Sequence, residues 1–206
     1  VKERAHTVIR NAREGLTRWI EGTAGCTLVR GHARFESART VRVGDELFEA
    51  DQIFVNVGAR ARVPALKGVD RVPYLTNTSM LEIDTLPRHL VVVGGSYVAI
   101  EYAQMYRRFG AEVTIVERGP RLVGREDPDV ADAVREILER EGIRVHLGAE
   151  CIGLDTAANG IAVHVGGKTT VEGTHVLLAV GRVPNTGDLG LDRAGVEVDP
   201  RGYIVV

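Results

Sequence analysis

The sequence predicts an α/β protein built on a doubly wound parallel sheet with an inserted β-meander. Beyond a proline-rich stretch that ends at Pro87, apolar strand-like runs alternate with amphipathic helix-like runs. This alternation is typical of parallel strands joined by crossover helices. The first of these strands, Leu90–Val93, runs directly into Gly94 and Gly95. Each helix-like run then ends at a glycine, the usual residue beyond a helix C-terminus.

Length and composition fit one large or two modest folded domains. The chain has 206 residues, of which 44% are hydrophobic and 26% charged, and its net charge is -2. This charge argues against nucleic acid or an anionic membrane as a partner, and no apolar run is long enough for a membrane span. Cys26 and Cys151 are too far apart for a C-x-x-C pair, and the histidines form no ligand-spaced cluster. We therefore expect no metal site and a cytoplasmic location.

The elements before Pro87 predict a helix followed by a meander. Apolar spacing indicates a helix over residues 3–21, which Gly22 ends. Turn glycines then separate three predicted short strands, Thr27–Arg30, Thr40–Val43 and Glu46–Glu49. Gln52–Val57 predicts a more buried strand. The prolines of residues 60–88 indicate a connection that holds one short helix near Ser79–Glu82.

Apolar spacing also defines the two crossover helices. The first helix should bury residues spaced i, i+4, i+7 and i+11, namely Val98, Tyr102, Met105 and Phe109. Asp127 and Pro128 are typical of the start of the second helix. Its predicted apolar face consists of Val130, Val134, Ile137 and Leu138. Strands at Glu112–Val116 and Ile143–Leu147 complete a βαβαβ unit.

The region after residue 148 resembles the early part of the chain. Residues 149–172 predict a second meander, and an apolar strand over 175–180 ends at Gly181. The earlier meander likewise precedes an apolar run and Gly58, so we infer an approximate duplication of two dinucleotide-type domains. The alternative is chance recurrence of a common pattern. The predicted domains are 1–58, 59–184 and 185–206.

We expect the chain to be a central fragment of a longer protein. Val1 is not a start methionine, and the chain stops within the strand-like run Tyr203–Val206.

The glycine turn after Leu90–Val93 predicts a Rossmann-like nucleotide site. Gly94 and Ala99 fit the first and third positions of G-x-G-x-x-G/A, whereas Ser96 replaces the second glycine. A strand precedes this turn and a helix follows it, which is where dinucleotide folds place a pyrophosphate on unpaired helix N–H groups. The alternative is a purely structural turn.

An acidic residue indicates which nucleotide is preferred. Glu117 follows the next strand, 22 positions after Gly95. A carboxylate there can accept hydrogen bonds from the ribose hydroxyls of NAD and would repel the 2′-phosphate of NADP. We therefore expect NAD(H) to be preferred over NADP(H). Arg118 and Arg121 could instead bind that phosphate, or be solvated loop charges.

Tyr97 and Glu101 are one helical turn apart and share a face near the helix start. In that position they could orient or gate a nicotinamide. The alternative is that Tyr97 is a core residue and Glu101 interacts with the helix dipole.

With these motifs in place, the whole chain resembles the central part of the flavin-dependent pyridine nucleotide-disulfide oxidoreductases, a family that includes glutathione reductase, dihydrolipoamide dehydrogenase and mercuric reductase. The sequence markers of the resemblance are Arg30-Gly31-His32-Ala33, Val57-Gly58-Ala59-Arg60, Leu86-Pro87 before the glycine turn, and Gly181-Arg182-Val183-Pro184-Asn185-Thr186.

The resemblance implies roles for individual residues. The residues that would line the nicotinamide dinucleotide are Gly94, Gly95, Ser96, Tyr97 and Val98. Glu117 would lie at the adenosine ribose, and Cys151 and Gly181 would border the adenine and nicotinamide halves. Tyr97 would also cover the flavin as a lid. Glu101 would be the carboxylate beside the nicotinamide that pairs with a lysine absent from this sequence. Ala33 and Gly58 match backbone positions near FAD.

The resemblance also implies an activity for a longer parent protein. That parent would pass hydride from NADH to FAD and on to a disulfide, thiol or metal acceptor, and would form a homodimer. The first and last domains would be parts of its FAD-binding and central regions. This chain lacks a C-x-x-x-x-C pair, so we expect it to be inactive by itself. Alternatives are a stand-alone NAD-binding or redox-sensing module and an NADH oxidase-type flavoprotein.

Overall fold

The chain divides into two units, each with its own core. The computed structural model describes residues 1–150, 152–166 and 169–206. Unit 1 comprises Val1–Arg60 and Val183–Val206, and unit 2 comprises Ala61–Arg182.

Unit 1 contains one long helix and a three-stranded antiparallel meander. Their bounds are α1 Lys2–Glu21, β1 Ala33–Ser37, β2 Thr40–Val43 and β3 Glu46–Glu49. The prediction of the helix is confirmed, as are those of the last two strands, although α1 buries none of its residues. The core of unit 1 is formed by Phe35 with Leu189 and Leu191. Leu191 begins a short 3-10 helix, Leu191–Ala194.

Two strand predictions in unit 1 are wrong. Thr27–Arg30 and Gln52–Val57 form no strand, and the meander begins instead at Ala33. Neither segment has a strand to pair with among the described residues, and Phe54 is 89% exposed. Phe35, in contrast, is buried, and its backbone N–H donates to Leu189 O at 2.7 Å. Apolar sequence forms a strand only where a neighbour supplies pairing and burial, so the inferred duplication extends to the meanders but not to both apolar strands.

The remaining strands and α-helices lie in unit 2, apart from two short strands that include the boundary between the units. In chain order they are β4 Ala59–Ala61, β5 His89–Val93, α2 Tyr97–Arg108, β6 Glu112–Val116, α3 Pro128–Arg140, β7 Arg144–His146, β8 Gly153–Ala157, β9 Gly160–His164, β10 Thr170–Gly173, β11 His175–Leu178 and β12 Arg182–Pro184. The short strands β4 and β12 pair with each other. The boundary between the two units falls within each of these strands. Short 3-10 helices cover Val69–Arg71 and Ser79–Leu81, the second of which was predicted.

The parallel sheet of unit 2 confirms the predicted fold class. Its strand order is β11-β5-β6-β7, and every neighbouring pair is parallel. The chain moves outward from β5 to β7 and then returns to place β11 on the other side of β5. The carboxyl ends of β5 and β11 therefore meet where the strand order reverses, which is the point at which open α/β sheets bind ligands.

Different layers cover the two faces of this sheet. One face packs against α2 and α3. The other packs against the antiparallel sheet β10-β9-β8, which is the predicted second meander. Both helices thus lie on one side, and the meander takes the place of helices on the other. Gly167 and Lys168, near the predicted turn of this meander, lie outside the described residues.

The faces that the helices bury agree only in part with those predicted, since Leu138 of α3 is buried as expected. α2 buries Ala99, Ala103 and Tyr106, whereas Phe109 is 44% exposed. The other predicted core residues of α2, namely Val98, Tyr102 and Met105, are only partly buried. α3 buries Ala131 and Leu138 and leaves Val130 and Ile137 exposed. Alanines let a helix approach the sheet closely, so the centre of the contact falls on small residues that a search for large apolar side chains misses.

None of the helices in the described part of the chain combines the length and the apolar character needed to cross a membrane.

Candidate functional site

The glycine turn after β5 lies at the reversal point of the sheet. Gly94 has φ +116°, and its N–H donates to Val116 O at 2.9 Å. A Cβ on Gly94 would lie 2.4 Å from the backbone oxygen of Ala179, the residue that follows β11. Both the backbone conformation and this close approach therefore require glycine.

The first turn of α2 presents backbone N–H groups that its N-cap does not satisfy. Ser96 is the N-cap, with extended backbone angles of φ -97° and ψ -176°, and its side chain makes no capping hydrogen bond. The first hydrogen bond of the helix runs from the Ile100 N–H to Ser96 O at 3.1 Å. The N–H groups of Tyr97, Val98 and Ala99 precede that bond and have no acceptor within the helix. Such a helix start attracts an anion, through its N–H groups and its dipole.

Glu117 follows β6 and lies against the glycine turn. Its backbone N–H donates to His146 O at 2.8 Å, which fixes it at the end of the strand. Its Oε1 accepts a hydrogen bond from the Gly119 N–H at 2.5 Å. A Cβ on Gly95 would lie 2.8 Å from Glu117 Cγ. Folding thus brings together the turn and the acidic residue that the motif spacing predicted.

The arginines near Glu117 are exposed. Arg118 and Arg121 make no hydrogen bond or ion pair with the described residues, which agrees with solvated loop charges. Arg118 lines a cavity of about 510 Å³ together with Leu66, Ala149 and Ile152. The Ala149 N–H donates to Glu117 O at 3.0 Å, so this cavity adjoins the acidic residue.

Gly181 lies in the loop after β11 and faces open space. Its φ is +119°, and no atom lies within 4 Å of the position that a Cβ would take. Its carbonyl oxygen accepts a hydrogen bond from the Arg62 N–H at 3.0 Å. The backbone is therefore held in place while its outer side is free for contact with a flat ligand.

Tyr97 is not a core residue, so the part of the alternative that concerns Tyr97 is wrong. Its side chain is 55% exposed, and its hydroxyl donates a hydrogen bond to Glu126. This hydrogen bond to a carboxylate raises the pKa of the Tyr97 phenol. Glu101 is also exposed, and its side chain makes no hydrogen bond or ion pair with the described residues. Val98, between them, is half-buried.

Three other predicted residues are not among the described residues of unit 2. Ala33 and Gly58 are exposed residues of unit 1, and Cys151 lies outside the described residues. Gly58 O accepts the Asn185 N–H at 3.0 Å, and the Asn185 side chain donates to Val57 O at 3.0 Å. Arg60 in turn donates to Asn185 Oδ1 at 3.0 Å. Two of the sequence markers thus contact each other within unit 1.

Sequence reasoning missed the loop that packs on the glycine turn. Leu122 is 1% exposed, and the Val123 N–H donates to Gly95 O at 2.8 Å. Val123 adopts φ +40°, which is rare for a β-branched residue. Gly119 and Glu126, in the same loop, contact Glu117 and Tyr97. No motif spacing marks these residues, and only the backbone conformation of the loop brings them to the site.

A second polar cluster lies at the opposite end of the parallel sheet. His89 Nε2 lies 2.8 Å from Oγ1 of the fully buried Thr114 and 3.3 Å from the Arg144 guanidinium. Arg144 also forms an ion pair with Glu112 at 3.0 Å. Burial, followed by the charge of Arg144, lowers the pKa of His89. The described residues contain no group of His, Cys, Asp or Glu side chains suited to a metal ion.

Comparison with known proteins places this geometry in a family. The sequence profile described as pyridine nucleotide-disulphide oxidoreductase matches residues 1–206. The chain is 35% identical to a mercuric reductase of Bacillus cereus, over 88% of this chain and 29% of that protein. It is 32% identical to a dihydrolipoyl dehydrogenase of Thermus scotoductus, over 97% of this chain and 44% of that protein.

A solved structure agrees with the sequence matches. The structure of the HOCl-induced flavoprotein disulfide reductase RclA from Escherichia coli matches with a TM-score of 0.92 at 30% identity, over 100% of this chain and 47% of that chain. The chain therefore spans less than half the length of each of these three relatives. The match over its full length confirms the resemblance inferred from the sequence, and the chain belongs to the pyridine nucleotide-disulphide oxidoreductase family.

Proposed function

We propose that unit 2 binds a nicotinamide adenine dinucleotide at the carboxyl ends of β5, β6 and β11. The observation that supports this most strongly is the open N-terminus of α2. Its first N–H groups lack an acceptor within the helix, and Ser96 does not cap them. The helix start adjoins Gly94, where the strand order reverses, so the features expected of a pyrophosphate site coincide at one point.

Each part of the dinucleotide has a counterpart among the residues of unit 2. The pyrophosphate would accept hydrogen bonds from the N–H groups of Tyr97 and Val98, with Gly94 and Gly95 in the turn before them. The adenosine ribose would lie at Glu117. The nicotinamide would lie against the open face of Gly181, near Tyr97 and Glu101, and supplies hydride transfer when bound.

We propose that NAD(H) is preferred over NADP(H). The Glu117 carboxylate is partly exposed and adjoins the turn, so it can accept a ribose hydroxyl and would repel a 2′-phosphate. Arg118 and Arg121 are exposed, and water screens their attraction for that phosphate more than it would for a buried arginine.

The longer parent protein is proposed to transfer hydride from NADH to FAD and then electrons to a disulfide, thiol or metal acceptor. The support is family membership and the relatives, which include a mercuric reductase, a dihydrolipoyl dehydrogenase and a flavoprotein disulfide reductase. In that protein we propose residues 59–184 as the NAD(P)-binding domain. Residues 1–58 and 185–206 would belong to the FAD-binding and central regions, with Ala33 and Gly58 near the flavin, and the parent would be a homodimer.

Titration calorimetry of the unmodified chain with NADH and NADPH tests the proposal. We expect NADH to bind more tightly. Loss of a hydrogen bond to a charged group costs about 1.5–3 kcal/mol of binding free energy. Glu117→Ala should therefore lower the affinity for NADH by about ten-fold or more, and the difference between the affinities for NADH and NADPH should become smaller. Glu136→Ala, on the exposed side of α3, is the matched control and should change neither affinity. Tighter binding of NADPH to the unmodified chain would mean that Arg118 and Arg121 set the preference.

A further inference from the structure

Two glycines lie beside the carboxylate of Glu117. Gly119 donates its N–H to Oε1 at 2.5 Å. The position that a Cβ would take on Gly95 lies 2.9 Å from Oε2 and 2.8 Å from Cγ of the same glutamate. A Cβ on Gly119 would lie 3.0 Å from Oε1. The carboxylate therefore occupies space that a side chain at position 95 would need.

The loop that follows Glu117 keeps Gly95 in this position. The Val123 N–H donates to Gly95 O at 2.8 Å. Leu122 Cδ2 lies 2.8 Å from the same Cβ position on Gly95, and this leucine is 1% exposed. A hydrogen bond holds the backbone at Gly95, and Leu122 is packed in the core. The Glu117 side chain is therefore the neighbour most able to move when a Cβ is added at position 95.

We propose that Gly95 is a residue that determines nucleotide specificity, because its missing side chain leaves the space in which Gly119 fixes the Glu117 carboxylate. Oε2 accepts no hydrogen bond from the described residues, so it is the oxygen left for a ribose hydroxyl. Gly95 occupies the variable position of G-x-G-x-x-A, where the motif itself requires no glycine. The inference rests on the proposed dinucleotide binding and assigns the ribose selectivity of that site to a residue that does not itself bind the ribose.

The proposal predicts that a substitution at Gly95 changes the binding of the ribose but not the binding of the pyrophosphate. ADP-ribose and its 2′-phosphorylated form carry the same pyrophosphate, so the ratio of their affinities isolates the contact at the ribose. We expect the unmodified chain to prefer ADP-ribose in calorimetry. Gly95→Ala should reduce that preference by about ten-fold, which is the size of one lost hydrogen bond to a charged group. Gly119→Ala should reduce it in the same direction.

Gly124→Ala is the matched control, since it adds a Cβ in the same loop at a position where the nearest atom is 3.9 Å away. It should leave the ratio unchanged. If Gly95→Ala lowered the affinities for both ligands equally, Gly95 would act on the pyrophosphate and the proposal would be overturned. An unchanged ratio would also overturn it.

A measurement without ligand separates this inference from the proposed function. The amide resonance of Gly119 should shift in Glu117→Ala, because the two groups share a hydrogen bond in the unmodified chain. In Gly95→Ala the Gly119 resonance should move in the same direction, whereas Gly124→Ala should leave it in place. A Gly119 amide resonance that is the same in Gly95→Ala and in the unmodified chain contradicts the proposed positioning. If ADP-ribose does not bind the unmodified chain, the proposed function fails, and the amide measurement still decides whether Gly95 positions Glu117.

Discussion

The hydroxyl of Tyr97 donates a hydrogen bond to the carboxylate of Glu126, which lies 29 residues further along the chain. This contact joins the first residue of α2 to the loop that precedes α3. The Tyr97 ring is more than half exposed, so the hydrogen bond, rather than packing, fixes where it points. A tyrosine held in this way can be displaced without disturbing the core.

Replacing Tyr97 by alanine should leave the folded chain nearly as stable as before. No cavity forms, because the ring is exposed. Tyr106→Ala is the comparison, since Tyr106 is 8% exposed and its hydroxyl donates to Met80 O at 3.0 Å. Loss of such a buried aromatic side chain costs about 3–5 kcal/mol. Urea unfolding of the two variants checks this, and a loss for Tyr97→Ala as large as that for Tyr106→Ala would contradict it.

The ionisation of Tyr97 should depend on Glu126. The neighbouring carboxylate raises the pKa of the phenol, because it accepts the phenol proton in a hydrogen bond and repels the phenolate. In Glu126→Ala the pKa of Tyr97 should fall toward the ordinary value of about 10. Alkaline titration of tyrosinate absorbance measures this, with Tyr97→Phe used to subtract the other tyrosines. Glu136→Ala is the control, and an unchanged Tyr97 pKa in Glu126→Ala would show that the contact does not persist in solution.

Ser96→Asp should stabilise the chain and weaken dinucleotide binding at the same time. An aspartate at an N-cap accepts the orphan N–H groups and interacts favourably with the helix dipole, for a gain of about 0.5–1 kcal/mol. The same negative charge would compete with the pyrophosphate, so we expect NADH affinity to fall by about ten-fold. Ser96→Gly adds no charge and should bind NADH nearly as well as the unmodified chain. Equal NADH affinity in Ser96→Asp would argue against a pyrophosphate at this helix start.

The stability of unit 2 should fall as the solution becomes acidic, in part because of His89. Burial lowers the pKa of His89, and the neighbouring Arg144 lowers it further. The stabilisation from neutral His89 is therefore complete above its ordinary pKa of about 6.5 and is lost as the pH falls through its lowered value. His89→Gln should show a smaller loss of unfolding free energy between about pH 7.5 and pH 5.5. Burial also lowers the pKa of His175, so part of the loss should remain.

The exposed His164 supplies the control for this measurement, because His164→Gln should keep the full pH dependence. A variant at His89 whose unfolding free energy declines as steeply as that of the unmodified chain would assign the acid sensitivity to other groups.

The parallel sheet could be predicted because β5 and β11 belong to continuous apolar runs that lead to a glycine, and because helix-like runs separate the strands from β5 to β7. The bounds of α2 and α3 also followed from local signals. Their buried faces did not, because close packing on the sheet selects Ala99 and Ala103 over larger neighbours. The strands expected at Thr27–Arg30 and Gln52–Val57 are absent for a related reason. A strand forms only where another strand pairs with it, and the local sequence does not show whether such a partner exists.

Some residues of the candidate site could likewise be predicted from the sequence, and others could not. Gly94, Ser96 and Glu117 could be identified because chain spacing alone places them at the ends of neighbouring parallel strands. Gly119, Leu122 and Glu126 reach the site through a loop whose path depends on the positive φ of Val123. No rule of residue preference predicts that conformation for a β-branched side chain, so these contacts emerge only from the folded structure.

The division of unit 1 into two stretches of chain governs when it can fold during synthesis. Asn185 bonds to Val57 across 128 residues and to Arg60 across 125, and the whole of unit 2 is translated between them. The parallel sheet can therefore form during translation, because unit 2 is a continuous segment of the chain. At that stage Phe35 is still without Leu189 and Leu191, the residues that bury it. Val1–Arg60 thus stays without part of its packing partners until residues 183–206 have been synthesised.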